Sequence, residues 1–327
     1  MDNNCGRICC DYDTCGSAIS EAFGKVIVLG SLNMDLTIQC VDLPKNGETI
    51  NGSDFFVNPG GKGGNQAVAA AKLGAETHMI ANIGNDVFGE QLLEALQGYG
   101  VHTKGVFRDA HETSGVAMII RSHGDNRIIL GNGANHTLPE AAFVEMLQKL
   151  ARKDDIFLTQ LENDYALVRN ALRHAKQAGM YTMLNPAPAR VLDSDVYEHL
   201  DLIVVNQSEC ELLTGIYPSD EESCMEALLS FEARGVDALI TLGTHGSMCN
   251  AFGRYLFVPA QKVETVDTTG AGDSFIGALC SCLSRDVDMK EAMEFATRVA
   301  ALTVTRRGAQ ASIPYKKEVE HYFKEEN

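Results

Sequence analysis

The sequence predicts an α/β fold: a doubly wound, mostly parallel sheet with helices on both faces, plus a small antiparallel β lid. Short apolar runs such as KVIVLGS (25–31) and DLIVVN (201–206) alternate with helix-like segments, a pattern typical of a parallel sheet covered on both faces. Residues 33–58 and 113–132 break this rhythm and show the alternating pattern of antiparallel strands. A chain of 327 residues is long enough for one large domain carrying such a lid.

The first half of the chain supplies clear element boundaries. KVIVLGS and THMIANIG (77–84) are short apolar runs and predict buried strands. The alanine-rich NQAVAAAKLGA predicts a helix that starts at Asn65 and ends at Gly74. DVFGEQLLEALQGYG predicts a second helix, capped by Asp86 and stopped near Gly98.

The second half repeats the alternation and ends in helices. Four strand-like runs, beginning with DIFLTQ (155–160) and ending with DALITLG (237–243), are separated by helix-like segments such as YALVRNALRHAKQAG. The last third holds two apolar helices, SFIGALCSCLS and MKEAMEFATRVAALTV. We therefore expect one large domain over residues 24–327, with the lid formed by about 33–58 and 113–132.

Residues 1–23 form an N-terminal extension, which we expect to be flexible. The extension carries four of the ten cysteines, and two interpretations stay open: a zinc or redox role, or a reduced tail. Neither a signal nor a transit peptide fits this segment, so the cytoplasm is the expected location. The four cysteines are Cys5, Cys9, Cys10 and Cys15.

Net charge excludes two classes of partner. The formal charge is −17, whereas nucleic acids and anionic membranes favour basic surfaces. No apolar run approaches the roughly 20 residues that a membrane helix needs. We therefore expect small-molecule partners rather than nucleic acid or membrane.

The glycine-rich segment NPGGKGGNQ (58–66) is a candidate ligand-binding loop. It is not a Walker P-loop, because Phe56 stands where that pattern has its first glycine and Gly63 where it has Ser or Thr. The remaining alternatives are a tight turn whose glycines serve sterics alone, or a loop around Lys62 that closes on a polar ligand through backbone amides.

The segment VDTTGAGDSF (266–275) places a carboxylate beside a possible anion site. Gly270, Ala271 and Gly272 precede a helix whose first amides and dipole favour an anion. Asp273 then lies in the first helical turn, where it is either a capping residue or a general base for a hydroxyl that attacks a phosphoryl group.

Two further loops suit a phosphate donor. In NQSECELLTG, Asn206 and Glu209 are spaced for one helix face and suit hydrated Mg²⁺, although a capping box explains them equally well. TLGTHGS (241–247) is either a hairpin or a loop that faces a nucleotide. Asn33, Asp35 and Glu162 follow strand ends, where ligands bind in open α/β sheets, and offer polar groups for a polyol.

Two long signatures in this order resemble the ribokinase family of sugar and nucleoside kinases. GGKGGNQAVAAAKLGA (60–75) is similar to the first signature of that family and DTTGAGDSFIGAL (267–279) to the second, and the resemblance covers about residues 24–315. GSLNMD, NPAPAR and VTRRGAQAS are most similar to the ribose-phosphorylating members. The resemblance implies ATP-dependent phosphorylation of D-ribose at its 5-hydroxyl, with Mg²⁺, an activating K⁺, and a homodimer formed through the lids.

The resemblance also implies a role for each matching residue. Asp273 would be the base, and Gly270, Ala271 and Gly272 the anion hole. The sugar would be held by Asn33, Asp35, Gly61, Lys62, Asn65, Glu162 and Asp273. The nucleotide would contact Asn206, Thr241, Gly243, Gly246 and Thr297, with Glu209 on the magnesium through water. Potassium would lie near Asp267, Thr269, Thr303, Arg306, Gly308 and Ser312.

Two positions depart from the family pattern. Gly64 stands where these kinases usually have Ala, and Thr297 lies where relatives often place His or Asn beside the adenine. The alternatives to a ribose kinase are a kinase of the same family for another sugar or nucleoside, and a sugar-binding homologue that has lost catalysis.

Overall fold

The computed structural model describes residues 24–123 and 125–323, which form two sheets and their helices. The N-terminal extension with its four cysteines lies outside the described residues. Six cysteines lie within them, all as free thiols and all but Cys40 buried. None of the described helices is both long enough and apolar enough to cross a membrane.

The main sheet has nine strands in the order β13-β12-β11-β10-β9-β8-β1-β4-β5. Its strands pair in parallel except at one edge, where β12 is antiparallel to both β11 and β13, so the predicted doubly wound, mostly parallel sheet is confirmed. The strands are β1 (Val26–Leu29), β4 (Thr77–Gly84), β5 (His102–Asp109), β8 (Ile156–Thr159), β9 (Tyr181–Leu184), β10 (Leu202–Asn206), β11 (Asp237–Thr241), β12 (Ser247–Ala251) and β13 (Arg254–Val258).

Helices cover both faces of this sheet. Side chains alternate between the faces along each strand, so Val26 and Val28 of β1 face one apolar core while Ile27 and Leu29 face the other. The helices are α1 (Lys62–Lys72), α2 (Val87–Gly98), α3 (Glu140–Leu150), α4 (Tyr165–Gln177), α5 (Ser194–Tyr197), α6 (Gln207–Thr214), α7 (Glu221–Glu232), α8 (Ala271–Leu283), α9 (Met289–Thr303) and α10 (Lys316–Tyr322).

The lid is a separate sheet of four strands, β2 (Asn33–Gln39), β3 (Ser53–Gly60), β6 (Gly115–Ser122) and β7 (Asp125–Gly131), in the order β3-β2-β6-β7. The sequence predicted an antiparallel lid. The prediction is wrong for one pair, because β2 and β6 pair in parallel. The reason is topological. Both strands leave the carboxyl edge of the main sheet, β2 after β1 and β6 after β5, and therefore run outward together.

Helix α1 begins at Lys62, three residues earlier than its sequence predicted. Gly61 precedes it with φ of 85°, a left-handed conformation that favours glycine. Gly63 lies in the first turn because α1 packs directly on the backbone after β1. A Cβ at Gly63 would come within 2.5 Å of the Gly30 Cα. These glycines therefore bring the helix start against the sheet, and their role is partly steric.

Candidate active site

The predicted site residues gather beyond the carboxyl ends of the strands, between the main sheet and the lid. Asp35 and Asn33 lie on β2, Lys62 begins α1, and Asp273 lies in the first turn of α8. Helices α1 and α8 pack side by side against one face of the sheet. This packing brings residues more than 200 positions apart in the chain into contact.

Asp273 is buried and held by two amides from α1. Its carboxylate accepts hydrogen bonds from Asn65 Nδ2 at 3.0 Å and from Gln66 Nε2 at 2.9 Å. Only 8% of the residue is exposed. The capping interpretation does not account for these bonds, because both donors belong to another helix. The side chain is therefore fixed in orientation from outside its own helix.

A chain of amides fixes Gln66 in turn. Gln160 Nε2 donates to Gln66 Oε1 at 2.6 Å, and Gln66 Nε2 also lies 3.2 Å from Asn185 Oδ1. Asn65 Oδ1 is buried and has no hydrogen-bond partner among the described residues. Because a buried unpaired carbonyl oxygen is costly, this atom is a ready acceptor for a ligand hydroxyl.

The amino end of α8 is open to an anion. Gly270 precedes the helix in a left-handed conformation, with φ of 76°, and no described side chain caps the helix. The amides of the first turn carry the positive dipole end of the helix, although that of Ala271 donates to the Thr268 carbonyl at 3.2 Å. The carboxylate of Asp273 and this cluster of amides therefore lie next to each other, as the sequence predicted.

Glu162 joins the loop after β8 to the start of α1 and to the lid. Its Oε2 accepts the Lys62 backbone amide at 3.0 Å and Asn33 Nδ2 at 3.4 Å, and Ser31 Oγ donates to the same atom. Asn135 orients Asn33 by donating to Asn33 Oδ1 at 2.8 Å. Three of the residues predicted to hold a sugar, Asn33, Lys62 and Glu162, are thus joined by hydrogen bonds.

Asp35 lies on β2 near the charges of Glu162 and Asp273 and has a perturbed carboxyl group. Burial raises its pKa to about 7, and the negative charges of Glu162 and Asp273 add to the rise. Gly60 pairs with Asn33 across the β2–β3 ladder and leaves room for the Asp35 carboxyl, because a Cβ there would overlap it. Near neutral pH, Asp35 therefore exists as a mixture of carboxylic acid and carboxylate.

Lys62 is the cation among these acids. Burial lowers the pKa of Lys62, but the charges of Asp273, Glu162 and Glu209 outweigh it, and the pKa is raised above its usual value. Burial raises the pKa of Glu209, against the opposing effects of the Asn206 amide and Lys62. The lysine therefore remains charged and offsets part of the negative potential that a phosphate would meet.

Asn206 and Glu209 form the capping box that the sequence allowed. Asn206 Oδ1 accepts the Glu209 amide at 2.8 Å, and Glu209 Oε2 accepts the Asn206 amide at 2.9 Å. Glu209 is nevertheless close enough to Lys62 for the two charges to interact. A capping role and a position in the site are therefore compatible.

The TLGTHGS segment is a tight connection between antiparallel strands. Thr241 ends β11 beside Asn206, its register partner on β10. A short 3₁₀ turn over Gly243–His245 follows, before β12. Gly246 has φ of 114°, and a Cβ there would overlap the Val258 carbonyl. The hairpin interpretation is therefore correct, and the turn still projects from the carboxyl edge of the sheet.

Thr297 lies buried on α9, and its hydroxyl is already engaged. Its Oγ1 donates to the Met293 carbonyl of the same helix at 2.8 Å. What this residue can offer an adenine is therefore chiefly its methyl group.

Asp267 organises the loop that precedes α8. Its Oδ1 accepts the backbone amide and hydroxyl of Thr269, and its Oδ2 accepts the Gly308 amide at 3.2 Å and Arg121 Nη2 at 3.1 Å. Burial opposes ionisation, but these hydrogen bonds prevail and lower the pKa of Asp267. Arg121 belongs to β6, so this ion pair ties the lid to the loop.

The other predicted cation ligands lie at the end of α9 or after it, and the Val304 carbonyl of this region accepts the Asp267 amide at 3.1 Å. Thr303 and Ser312 are buried, and both hydroxyls donate to nearby carbonyls. The Arg306 guanidinium pairs with Glu318 at 2.9 Å, so only its backbone carbonyl could serve a cation. The carboxylate, hydroxyl and carbonyl oxygens of this region are the donor class that a hard cation prefers.

Sequence reasoning missed several residues that hold the site in place. Gln66 and Asn135 orient Asp273 and Asn33, and Arg121 binds Asp267. Gln66 belonged to a recognised motif without an assigned role. For Arg121 the available signal was one charged residue within the otherwise apolar strand VAMIIRS (116–122).

A buried carboxylate beside an open helix terminus is an arrangement that suits phosphoryl transfer to a hydroxyl group. The family comparison agrees, since the pfkB family carbohydrate kinases match residues 24–316. The chain belongs to that family and is a carbohydrate kinase.

Individual relatives are similar over nearly their whole length. The chain is 37% identical to a ribokinase of Haemophilus influenzae over 293 residues, covering 89% of this chain and 95% of that one. It is 34% identical to a deoxyribokinase of Salmonella typhimurium over 301 residues, covering 91% and 98%. The structure of Arabidopsis thaliana ribokinase complexed with ribose and ATP superposes with a TM-score of 0.86 at 30% identity, covering 92% and 99%.

Proposed function

We propose that the protein transfers the γ-phosphoryl group of ATP to the 5-hydroxyl of D-ribose, giving D-ribose 5-phosphate and ADP. The observation that carries this proposal is the placement of Asp273. Its carboxylate is held by Asn65 and Gln66 beside the open amino end of α8. The similarity to kinases named for ribose supports the choice of sugar.

In this mechanism Asp273 accepts the proton of the 5-hydroxyl as the sugar oxygen forms its bond to phosphorus. The bond between the γ-phosphorus and the ADP oxygen breaks in the same transfer. The amides of Gly270, Ala271 and Gly272 stabilise the charge on the transferred group. Asn65 and Gln66 donate to the Asp273 carboxylate and hold it in orientation toward the hydroxyl.

The sugar would lie against β2, the start of α1 and Glu162. Asp35 and Glu162 accept hydrogen bonds from hydroxyls, Lys62 and Asn33 donate, and Gly61 allows close approach of the backbone. The unpaired Asn65 Oδ1 supports this placement, because a hydroxyl donor would satisfy it.

The nucleotide would lie across the ends of β10 and β11. We assign Asn206, Thr241, Gly243, Gly246 and Thr297 to it. Glu209 would hold Mg²⁺ through water, because Mg²⁺ prefers carboxylate oxygens and keeps several of its waters. When bound, Mg²⁺ neutralises phosphate charge.

A substrate panel tests this function. ATP turnover should be fastest with D-ribose and slower with D-fructose, adenosine and other pentoses. 2-Deoxy-D-ribose belongs in the panel because of the similarity to a deoxyribokinase, and it is the second candidate substrate. A higher kcat/KM for any other compound would reassign the substrate, and sugar binding without turnover would identify a homologue that has lost catalysis.

The Asp35 pKa predicts pH-dependent sugar binding. A carboxylate accepts two hydroxyl donors better than the acid does, so binding favours the ionised form and releases a proton below pH 7. Ribose affinity, measured by calorimetry without nucleotide, should therefore rise between pH 5.5 and 7, by at most about tenfold per pH unit, and level off above pH 7.

Asp35→Asn is the matched control for this titration. Its amide cannot ionise, so its weaker ribose affinity should vary little over the same range. A wild-type affinity that is flat from pH 5.5 to 8 would rule out Asp35 as the ionising sugar ligand.

We also propose activation by K⁺, with Asp267, Thr269, Thr303, Arg306, Gly308 and Ser312 around the ion. Turnover should be faster in potassium than in sodium buffers of equal ionic strength. Potassium should also raise the thermal midpoint of the wild type but not of Asp267→Asn, since that variant lacks the carboxylate charge. Equal rates and equal midpoints in both buffers would exclude the site.

A homodimer through the lids is a further part of the proposal. The lid leaves Phe55, Met118, Ile128 and Ile129 more than half exposed, and apolar patches of this kind mark association surfaces. Light scattering should give twice the chain mass.

The free thiols of the described residues also support a reducing, cytoplasmic location.

A further inference from the structure

Three potential metal ligands meet at the edge of the main sheet opposite the active site. His78 lies near the start of β4, Glu76 just precedes that strand, and His102 begins β5. The candidate active site lies beyond the other, carboxyl ends of the strands. The proposed phosphoryl transfer therefore has no use for these three side chains.

The register of β4 and β5 brings these three side chains together. His78 and His102 are direct partners in the parallel β4–β5 pair, and their rings stack with centroids 4.5 Å apart. Glu76 precedes His78 by two residues, and its Oε1 lies 2.9 Å from His78 Nε2. One ligand atom from each residue lies within 4.8 Å of the others.

These separations suit a single small cation. Zinc binds His nitrogen and carboxylate oxygen at about 2.0–2.2 Å, so two ligands at tetrahedral angles lie about 3.3 Å apart. The Glu76–His78 pair is already near that separation. His102 must tilt out of its stacked position on His78 and move by at most about 1.5 Å, which a change of rotamer at an exposed side chain can supply.

A metal ion would take the place of one proton between two of these residues. His78 Nε2 and Glu76 Oε1 share a hydrogen bond in the structure, and both atoms become ligands when that proton is released. The nearby charge of Lys25 is paired with Asp155 at 3.5 Å.

We propose that Glu76, His78 and His102 form a surface site for a divalent transition-metal cation such as Zn²⁺. Three protein ligands leave one position for water. Because β5 is an edge strand of the main sheet, a metal bound here would clamp that edge to β4.

Zinc titration of the full-length chain tests this site. The protein should first carry Cys5, Cys9, Cys10 and Cys15 changed to Ser, because thiols of the extension also bind zinc. Calorimetry should then give one zinc per chain, and zinc should raise the thermal midpoint. His102→Ala in this background should weaken zinc binding at least about tenfold, as loss of a ligand costs no less than loss of its supporting contacts.

His123→Ala is the matched control. His123 Nε2 lies 2.8 Å from Asp42 Oδ1, so this pair shares the histidine–carboxylate contact of Glu76 and His78 without a second histidine opposite it. His123→Ala should leave zinc affinity unchanged. Equal zinc affinity in the parent and in His102→Ala, or a comparable loss in His123→Ala, would overturn the proposal.

Discussion

Asp273→Asn should lower kcat by about 10²–10⁴-fold, the range typical of a lost general base, while ATP affinity stays close to that of the wild type. Asparagine keeps the size of the side chain but cannot accept the proton of the 5-hydroxyl. The measurement is kcat for ribose together with the dissociation constant for ATP. Turnover within about threefold of the wild type would remove Asp273 from the role of base.

The fold should tolerate this substitution. The new amide would face donors from Asn65 and Gln66, but Asn65 Oδ1 is free of partners among the described residues. In the variant, the new amide nitrogen can face Asn65 Nδ2, and two donors do not bond to each other. Rotation of the Asn65 amide by 180° places Asn65 Oδ1 there instead, and this oxygen accepts a hydrogen bond from the new amide. An unchanged thermal midpoint would separate the chemical effect from unfolding.

Asp220→Asn is the matched control for the capping interpretation. Asp220 is exposed and caps α7 by accepting the Ser223 amide at 2.9 Å. If Asp273 served only as a helix cap, both variants would keep nearly wild-type stability and turnover, because Asn caps a helix about as well as Asp. We expect Asp220→Asn to keep wild-type kcat.

Gly277→Ala should damage both stability and activity. Gly277 lies one turn after Asp273 on α8, where α8 contacts α1. A Cβ there would overlap Ala69 and come within 2.6 Å of the Gln66 carbonyl oxygen. Overpacking of this kind lowers the free energy of unfolding by about 1–3 kcal/mol. The better helix propensity of Ala offsets up to about 1 kcal/mol of this loss.

The effect on turnover follows from the same contact. Pushing α8 away from α1 lengthens the bonds from Asn65 and Gln66 to Asp273, and small displacements of reacting groups cost up to about 10²-fold in rate. We expect kcat to fall roughly 10–100-fold. Thermal unfolding and steady-state kinetics on one preparation measure both effects.

Gly98→Ala is the control for glycine replacement. Gly98 ends α2, is exposed, and has nothing within 4 Å of an added Cβ, so the change should be nearly neutral. Adding Ala69→Gly to Gly277→Ala should restore only part of the stability, because the Gln66 carbonyl still blocks the methyl group. A Gly277→Ala protein with wild-type stability and kcat would show that the contact between α1 and α8 does not determine the position of Asp273.

The sequence was informative where the chemistry is local. Strand and helix alternation predicted the doubly wound sheet, and the glycines before α8 predicted an open helix terminus beside Asp273. The capping box of Asn206 and Glu209 was likewise visible as a short motif, since its partners are three residues apart.

Long-range contacts escaped prediction because spacing does not encode them. Gln66 reaches Asp273 across 207 positions and Arg121 reaches Asp267 across 146, and only the packing of α1, α8 and the lid brings these pairs together. The parallel pairing of β2 with β6 depends in the same way on where both strands leave the sheet.

Carbon-13 spectroscopy of the product tests the central claim most directly. The protein is incubated with ATP, Mg²⁺, K⁺ and ribose labelled at carbon 5. If Asp273 directs the 5-hydroxyl to the γ-phosphate, the carbon 5 signal should split by coupling to phosphorus, and Asp273→Asn should form this product far more slowly. ATP consumption without that splitting, or phosphorylation at another carbon, would contradict the proposed function.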